Sequence, residues 1–196
     1  MSDNFEMLVD VDATPGEADA VARAVLNRFQ KLGLITGTAN RGCVLGSTGY
    51  RPGPAVADSY KLEKREGRFW ELVTCGVEPT VGRSFNMWAL GPSSEGFTCS
   101  ACGAIVKPFG DSFGDAIHKA VGEWMEESGP ALVSCPECRK KRPITEWQCK
   151  PPFGFGNVSF RFWNWPQLDS PSWKIDIAGI VREVTGHRVV CTYGHT

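Results

Sequence analysis

The chain has 196 residues, 21 Lys and Arg against 22 Asp and Glu, and a formal net charge of -1. Its 42% hydrophobic and 22% charged residues make an ordinary globular composition, which excludes global disorder. The balanced charge argues against a partner held by general electrostatic attraction, as bulk nucleic acid would be. No apolar run approaches the roughly 20 residues that a membrane helix needs. Residues 1–6 carry neither a basic segment nor an apolar stretch, so no signal peptide and a cytoplasmic location are expected.

In chain order, residues 6–11 read as a strand carrying Met7, Leu8, Val9 and Val11. Thr14, Pro15 and Glu17 then start a helix, as N-cap, first helical residue and the closing member of a capping box. Ala18, Val21, Ala22, Val25, Phe29 and Leu32 recur as one apolar stripe, Gly33 ends the helix, and residues 34–36 begin a strand. The Gly- and Pro-rich stretch 37–58 reads as a long loop with a short strand at 43–45. Strands are expected near 59–63, 69–77 and 85–90, and a turn or linker at 92–96.

A helix over about 112–127 puts Phe113, Ile117, Ala120, Val121 and Trp124 on one face, before Gly129 and Pro130 stop it. Residues 157–165 read as a strand apolar on both faces, with Val158, Phe160 and Phe162 on one and Trp163 and Trp165 on the other. Such a strand belongs in the middle of a sheet. Asp169, Ser170 and Pro171 start a helix carrying Trp173, Ile177, Ile180, Val181 and Val184; Gly186 ends it, and 188–193 form a last strand. Both ends therefore read strand, Pro-initiated helix, Gly stop, strand, the pattern of an internal duplication.

Eight cysteines are present: Cys43, Cys75, Cys99, Cys102, Cys135, Cys138, Cys149 and Cys191. Without a secretion signal, reduced thiols are expected. Four of them form two C-x-x-C pairs, Cys99 with Cys102 and Cys135 with Cys138. A C-x-x-C turn aims two thiolates at one centre while its backbone N–H groups stabilise the sulfur charge, and two facing turns supply four donors, a set that suits tetrahedral zinc. Gly103 permits the positive φ that follows such a turn. Four protein thiolates leave no open position, so the expected Zn2+ is structural. Four unrelated buried thiols, a redox pair or an iron–sulfur cluster are the competing readings.

The expected fold class is α+β: a mixed sheet, three helices, strand–helix–strand units at both ends, and a zinc-ribbon-like four-cysteine element carrying a helical insertion. Residues 1–92 form the N-terminal α/β unit, 93–150 the zinc-ribbon-like element with its inserted helix, and 151–196 the C-terminal unit, packed with the first as one compact domain.

Other constellations carry less. Arg139, Lys140, Lys141 and Arg142 follow the second knuckle and offer a phosphate contact, with a solvated turn as the simpler reading. His118, His187 and His195 have no sequence-local partner in a catalytic pattern, and no HExxH, GxSxG, Walker A or GxGxxG motif is present. Asp10, Asp12, Glu17 and Asp19 cluster near the first helix, where its dipole is reason enough for them. The aromatics between Phe153 and Trp165 read as a core strand in preference to a stacking platform, with Asn157 and Asn164 bonding turns or strand ends.

The segment Phe155-Gly156-Asn157 through Phe162-Trp163-Asn164-Trp165-Pro166, preceded by Cys135-Pro136-Glu137-Cys138, resembles a signature of small, little-characterised bacterial proteins. The resemblance covers about the last third of the chain. It implies a bacterial, soluble protein and supplies no catalytic residue; some such proteins carry a transporter-ATPase name, which the missing Walker A motif does not support. The expected function is a structural-zinc intracellular protein-interaction module of the immunity or antitoxin type, acting on a bacterial effector, with Tyr50 and Arg51 as exposed loop positions at which to test it. The alternatives are a nucleic-acid-binding zinc-knuckle protein and an enzyme with a non-local site built from His118, His187 and Cys191.

Overall fold

In the computed structural model, residues 3–46, 48–63, 67–86, 95–107, 112–150 and 152–196 are described. The elements are β1 (Asn4–Asp10), α1 (Ala18–Lys31), α2 (Val56–Ser59), β2 (Gly76–Phe85), β3 (Phe97–Thr98), β4 (Ile105–Val106), α3 (Ser112–Glu126), β5 (Leu132–Ser134), β6 (Lys141–Pro143), β7 (Gln148–Cys149), β8 (Phe155–Trp163), α4 (Ile177–Thr185) and β9 (Val189–His195). They fall into two units: Met1–Phe85 with Gly154–Thr196, and Asn86–Phe153. No helix among the described residues is long and apolar enough to cross a membrane.

The first unit is built on one sheet of order β2-β8-β1-β9. Every pairing in it is antiparallel, in contrast to the mixed sheet expected from the sequence. Two strand–helix–strand halves, β1-α1-β2 and β8-α4-β9, interleave so that the first strand of each lies at the centre. This is the βαββαβ arrangement called ferredoxin-like, with the second unit occupying the connection from β2 to β8. One sheet face carries Leu8, Val77, Val158, Phe160 and Phe162 against α1 residues Ala18, Ala22, Val25 and Phe29 and α4 residues Ile177 and Val181. Phe29 meets Phe160 and Phe162 edge-on at 6.1 and 6.0 Å. The period-2 alternation sends Phe5, Met7, Val9 and Trp163 to the other face, where Cys43 and Val44 cover them.

Strand β8 is central and buried on both faces, as its composition predicts. Trp165, however, joins Phe162 in the helix-side core, 5.2 Å between ring centroids, and not the opposite face. Asn164 breaks the alternation by turning the chain at φ 55°. Its side chain holds that turn by donating to Asp3 Oδ1 at 2.6 Å and to the Thr74 carbonyl at 2.7 Å. Asn157 likewise donates to the Ala13 carbonyl at 2.8 Å.

Several local expectations give way to tertiary structure. Glu17 accepts from the Thr14 N–H at 2.7 Å, as in a capping box, but residues 15–17 are a turn and α1 begins at Ala18. Residues 34–36 contribute only an isolated bridge from Ile35 to Pro52, since proline has no N–H with which to extend a ladder. Residues 43–45 form no strand; Cys43 and Val44 instead cap the sheet. Residues 59–63 form a helix end and a single Tyr60–Trp173 bridge, and Phe69–Glu71 is a 3-10 turn. That bridge also keeps Trp173 out of the last helix, which starts at Ile177 and not near residue 169. Asp176 caps it by accepting from the Gly179 N–H at 2.6 Å, and Gly186 ends it at φ 72°. Positions 87–90 of the strand expected at 85–90, and 92–94 of the following turn, lie outside the described residues.

In the second unit, α3 buries Phe113, Ile117, Ala120 and Val121, on the face the sequence predicts. Phe113 packs on Phe97 and Trp147 with centroids 6.0 and 5.4 Å away, and Phe153 lies 5.0 Å from Phe97. The unit has two antiparallel sheets, β4-β3-β7 and β5-β6.

Candidate metal centre

Two hairpins present the paired cysteines. The β3–β4 hairpin carries Cys99 and Cys102 at its turn, and the β5–β6 hairpin carries Cys135 and Cys138. Their backbones match. The Cys99 N–H donates to the Ala104 carbonyl at 2.9 Å and the Gly103 N–H returns to the Cys99 carbonyl at 2.9 Å. In the second hairpin the Cys135 N–H donates to the Lys140 carbonyl at 3.0 Å and the Arg139 N–H to the Cys135 carbonyl at 2.8 Å. The residue after each second cysteine is left-handed, Gly103 at φ 74° and Arg139 at φ 61°.

All four sulfurs lie within 4.8 Å of one another. The nearest approaches run between hairpins, Cys102 to Cys135 at 3.8 Å and Cys99 to Cys138 at 4.0 Å. Metal–sulfur bonds of about 2.3 Å in a tetrahedron put neighbouring sulfurs about 3.8 Å apart. The donor set and its spacing therefore fit one metal ion, held by Cys99, Cys102, Cys135 and Cys138. Cys99 and Cys135 are buried, Cys138 is half-buried and Cys102 is exposed. Desolvation opposes ionisation of Cys99, yet the N–H groups of Ala101 and Cys102, together with the thiols of Cys102 and Cys135, outweigh it and hold the thiol down to about 7. Although the Ala104 N–H favours a thiolate at Cys102, desolvation and the neighbouring sulfurs push it up to about 12. None of the eight cysteines is in a disulfide.

Arg139 stands in a conformation that favours glycine. Arg139→Gly is expected to stabilise the second hairpin, by up to about 1 kcal/mol after the extra chain entropy of glycine is subtracted. Chelator competition read by circular dichroism tests this: the variant should release its metal at a higher chelator concentration than the wild type.

The basic run after the second knuckle does not form one face. Lys141 and Arg142 pair with Ser134 and Val133 on β5, and successive strand residues point to opposite sides. Arg139, Lys140 and Lys141 are exposed, whereas Arg142 is half-buried with Nη1 4.0 Å from Glu146.

The three candidate residues for a non-local catalytic site have separate settings. His118 lies on α3 in the second unit, and His187 and Cys191 lie in the first. Cys191 donates to Glu6 Oε2 at 3.4 Å, and burial, followed by the charge of Glu6, drives its thiol far above the ordinary range. His187 Nδ1 lies 2.9 and 3.1 Å from the carboxylate oxygens of Asp10. Asp10 is fully buried and also accepts from the N–H groups of Asp12 and Ala13 at 3.1 and 2.9 Å. Asp12 in turn pairs with Arg188, 2.6 Å to Nη2. Asp10 and Asp12 thus serve long-range partners, and not the helix dipole expected from their position. No sequence signal joins positions so far apart; only the β1–β9 pairing brings them together.

This corner has a pH signature. The Asp10 hydrogen bond raises His187 above its ordinary value of 6.5, so its contribution is full below about pH 6.5 and is lost as pH rises through the raised value. Arg188 hydrogen bonds lower Asp12 from 3.8 to about 2, so its contribution is present above 3.8 and is lost as pH falls toward 2. The destabilisation caused by His187→Ala, measured by urea midpoints, should therefore be largest near pH 5.5 and shrink by pH 9. A penalty that does not change with pH would contradict this pairing.

Compared with known proteins, this chain matches no family model, no curated protein and no solved structure.

Proposed function

We propose that the protein is a protein-interaction module of the bacterial cytoplasm, whose second unit is a zinc-ribbon-like element with α3 inserted between its knuckles and a structural Zn2+ at Cys99, Cys102, Cys135 and Cys138. The observation that carries the reading is the donor set: four cysteine sulfurs at tetrahedral spacing fill the coordination shell. A filled shell of soft thiolates favours zinc over hard cations and holds no position for a substrate. Bound there, the ion supplies folding energy to two short hairpins.

The aromatics of β8 and of the turn after it do not serve as partner anchors: Phe160, Phe162, Trp163 and Trp165 are all buried. An apolar pair in the first unit fits that role better. Leu72 and Val73 are 48% and 76% exposed. The Arg51 guanidinium donates to their two carbonyls at 3.2 and 3.3 Å, which holds them in place. Ordered, exposed apolar side chains are what a partner buries at low entropic cost. Arg51 is a brace for this loop and Tyr50 bridges to Val77, so Val73 is the cleaner position to substitute. The partner in its most specific form is a bacterial toxin, with this chain as its immunity or antitoxin-type inhibitor.

A second reading rests on the exposed Arg139, Lys140 and Lys141, which would contact nucleic-acid phosphates. Affinity purification of the tagged protein with and without nuclease separates the two. We expect one stoichiometric protein that survives nuclease and high salt and is lost with Val73→Asp. Nucleic acid that leaves with salt, and is lost with Lys140→Ala and Lys141→Ala together, would replace the first reading by the second.

A further inference from the structure

The first unit has a recess that neither the metal centre nor the exposed Leu72–Val73 pair uses. It is an open cleft of about 550 Å³ between the chain after β8, the start of α4 and Cys191 of β9, a volume within the ordinary range of small-molecule sites. One wall is apolar, made by Leu168, Trp173, Ile175 and Ala178. Trp173 is 8% exposed and held by several contacts: its Nε1 donates to the Gln167 carbonyl at 3.0 Å, and its ring stacks on Trp165 at 5.6 Å and meets Tyr60 edge-on at 4.9 Å. An aromatic wall fixed in this way needs no reordering when a ligand arrives.

The polar groups of the recess are unequally committed. Arg182 is paired with Asp176 at 3.0 Å, and Lys174 donates to the Asp58 carbonyl at 2.7 Å. The Arg182 charge is offset by Asp176, whereas Lys174 is exposed and keeps its charge, since a carbonyl partner is neutral. Asp169 is exposed and has no hydrogen bond or ion pair among the described residues. Behind Cys191 lies Glu6, only 8% exposed, which accepts the thiol hydrogen at 3.4 Å. Burial, and to a smaller extent the charge of Asp169, pushes Glu6 above the usual carboxylate range. At the Cys191 end the charge that acts on both Glu6 and Cys191 is that of Asp169, and neither Lys174 nor Arg182 is among the groups that shift them.

We propose that this recess binds a small organic cation, its ammonium group against Asp169 and the Cys191–Glu6 pair and its apolar or aromatic body against Trp173. The carboxylate supplies charge, and the apolar wall, including the exposed part of Trp173, supplies burial. The inference does not depend on the metal centre or on the interaction reading.

The test uses the full metal-loaded chain, labelled with nitrogen-15, and two probes with the same body and opposite charge: tryptamine and indole-3-acetate. Tryptamine should shift the amides of Asp169, Ser170 and Cys191 and the indole N–H of Trp173 in a saturable way, with an affinity at least about fivefold above that of indole-3-acetate. Asp169→Asn, nearly isosteric at an exposed and unbonded position, should weaken tryptamine by about threefold, the size of one partly exposed ion pair. Asp19→Asn, on the exposed side of α1, should leave it unchanged. Equal binding of the two probes, an unchanged affinity in Asp169→Asn, or no saturable shift with tryptamine would overturn the proposal.

Discussion

Replacing Cys135 by Ser is expected to abolish stoichiometric metal binding and to unfold both knuckle hairpins. Cys135 is 1% exposed and its sulfur is 3.8 Å from that of Cys102. The strands it joins are only three residues long, and those of the facing hairpin only two. Hairpins of that size do not hold themselves together in water, whereas a structural zinc contributes on the order of 10 kcal/mol to folding. A serine oxygen is a poorer donor to a soft-ligand site. Metal analysis should fall from one ion per chain toward none, and the amides of Gly103, Cys135 and Arg139 should lose their protection from hydrogen exchange. Cys75→Ser, which removes a buried thiol of the first unit, should keep its metal. A Cys135→Ser protein with full metal content and full protection would contradict the site.

The second large effect is in the sheet core. Phe160→Ala should destabilise the first unit by about 3–5 kcal/mol, the usual cost of emptying a buried aromatic position. Phe160 is fully buried, pairs with Leu8 on one side and Pro79 on the other, and meets Phe29 edge-on. The surrounding β8 is pinned by strands on both sides, so the cavity has little freedom to collapse. Against a total stability of roughly 5–15 kcal/mol, this is a large share. Val81→Ala on β2, where the side chain is 48% exposed, should cost less than about 1 kcal/mol. Urea unfolding of both variants checks the contrast; similar midpoints would mean that the core does not centre on β8.

The parts of the molecule legible in the sequence are those set by local chemistry. The two C-x-x-C turns announce their ligand set, because the spacing within each pair is a local requirement, and Gly103 marks the left-handed residue after the first; the same conformation at Arg139 has no such signal. The stripe of α1, the buried face of α3 and the doubly apolar β8 are legible for the same reason: periodicity records which face is buried. Where pairing partners decide, the reading fails. Residues 34–36 and 59–63 have strand composition but obtain only single bridges, to Pro52 and Trp173. Trp165 follows the period of β8 on paper, and Asn164 at φ 55° turns it to the opposite core. The interleaving of the two halves into one antiparallel sheet has no local signal, and neither does the Asp10–His187 pair that this sheet creates.

The most direct test of the central claim is to count and replace the metal. The purified protein should contain one zinc ion, and Co2+ exchanged into it should give the visible bands of a tetrahedral site together with sulfur-to-cobalt charge transfer, all lost in Cys135→Ser. A chain that folds fully without metal, or a cobalt spectrum with fewer than four sulfur ligands, would contradict a closed tetrathiolate centre at Cys99, Cys102, Cys135 and Cys138.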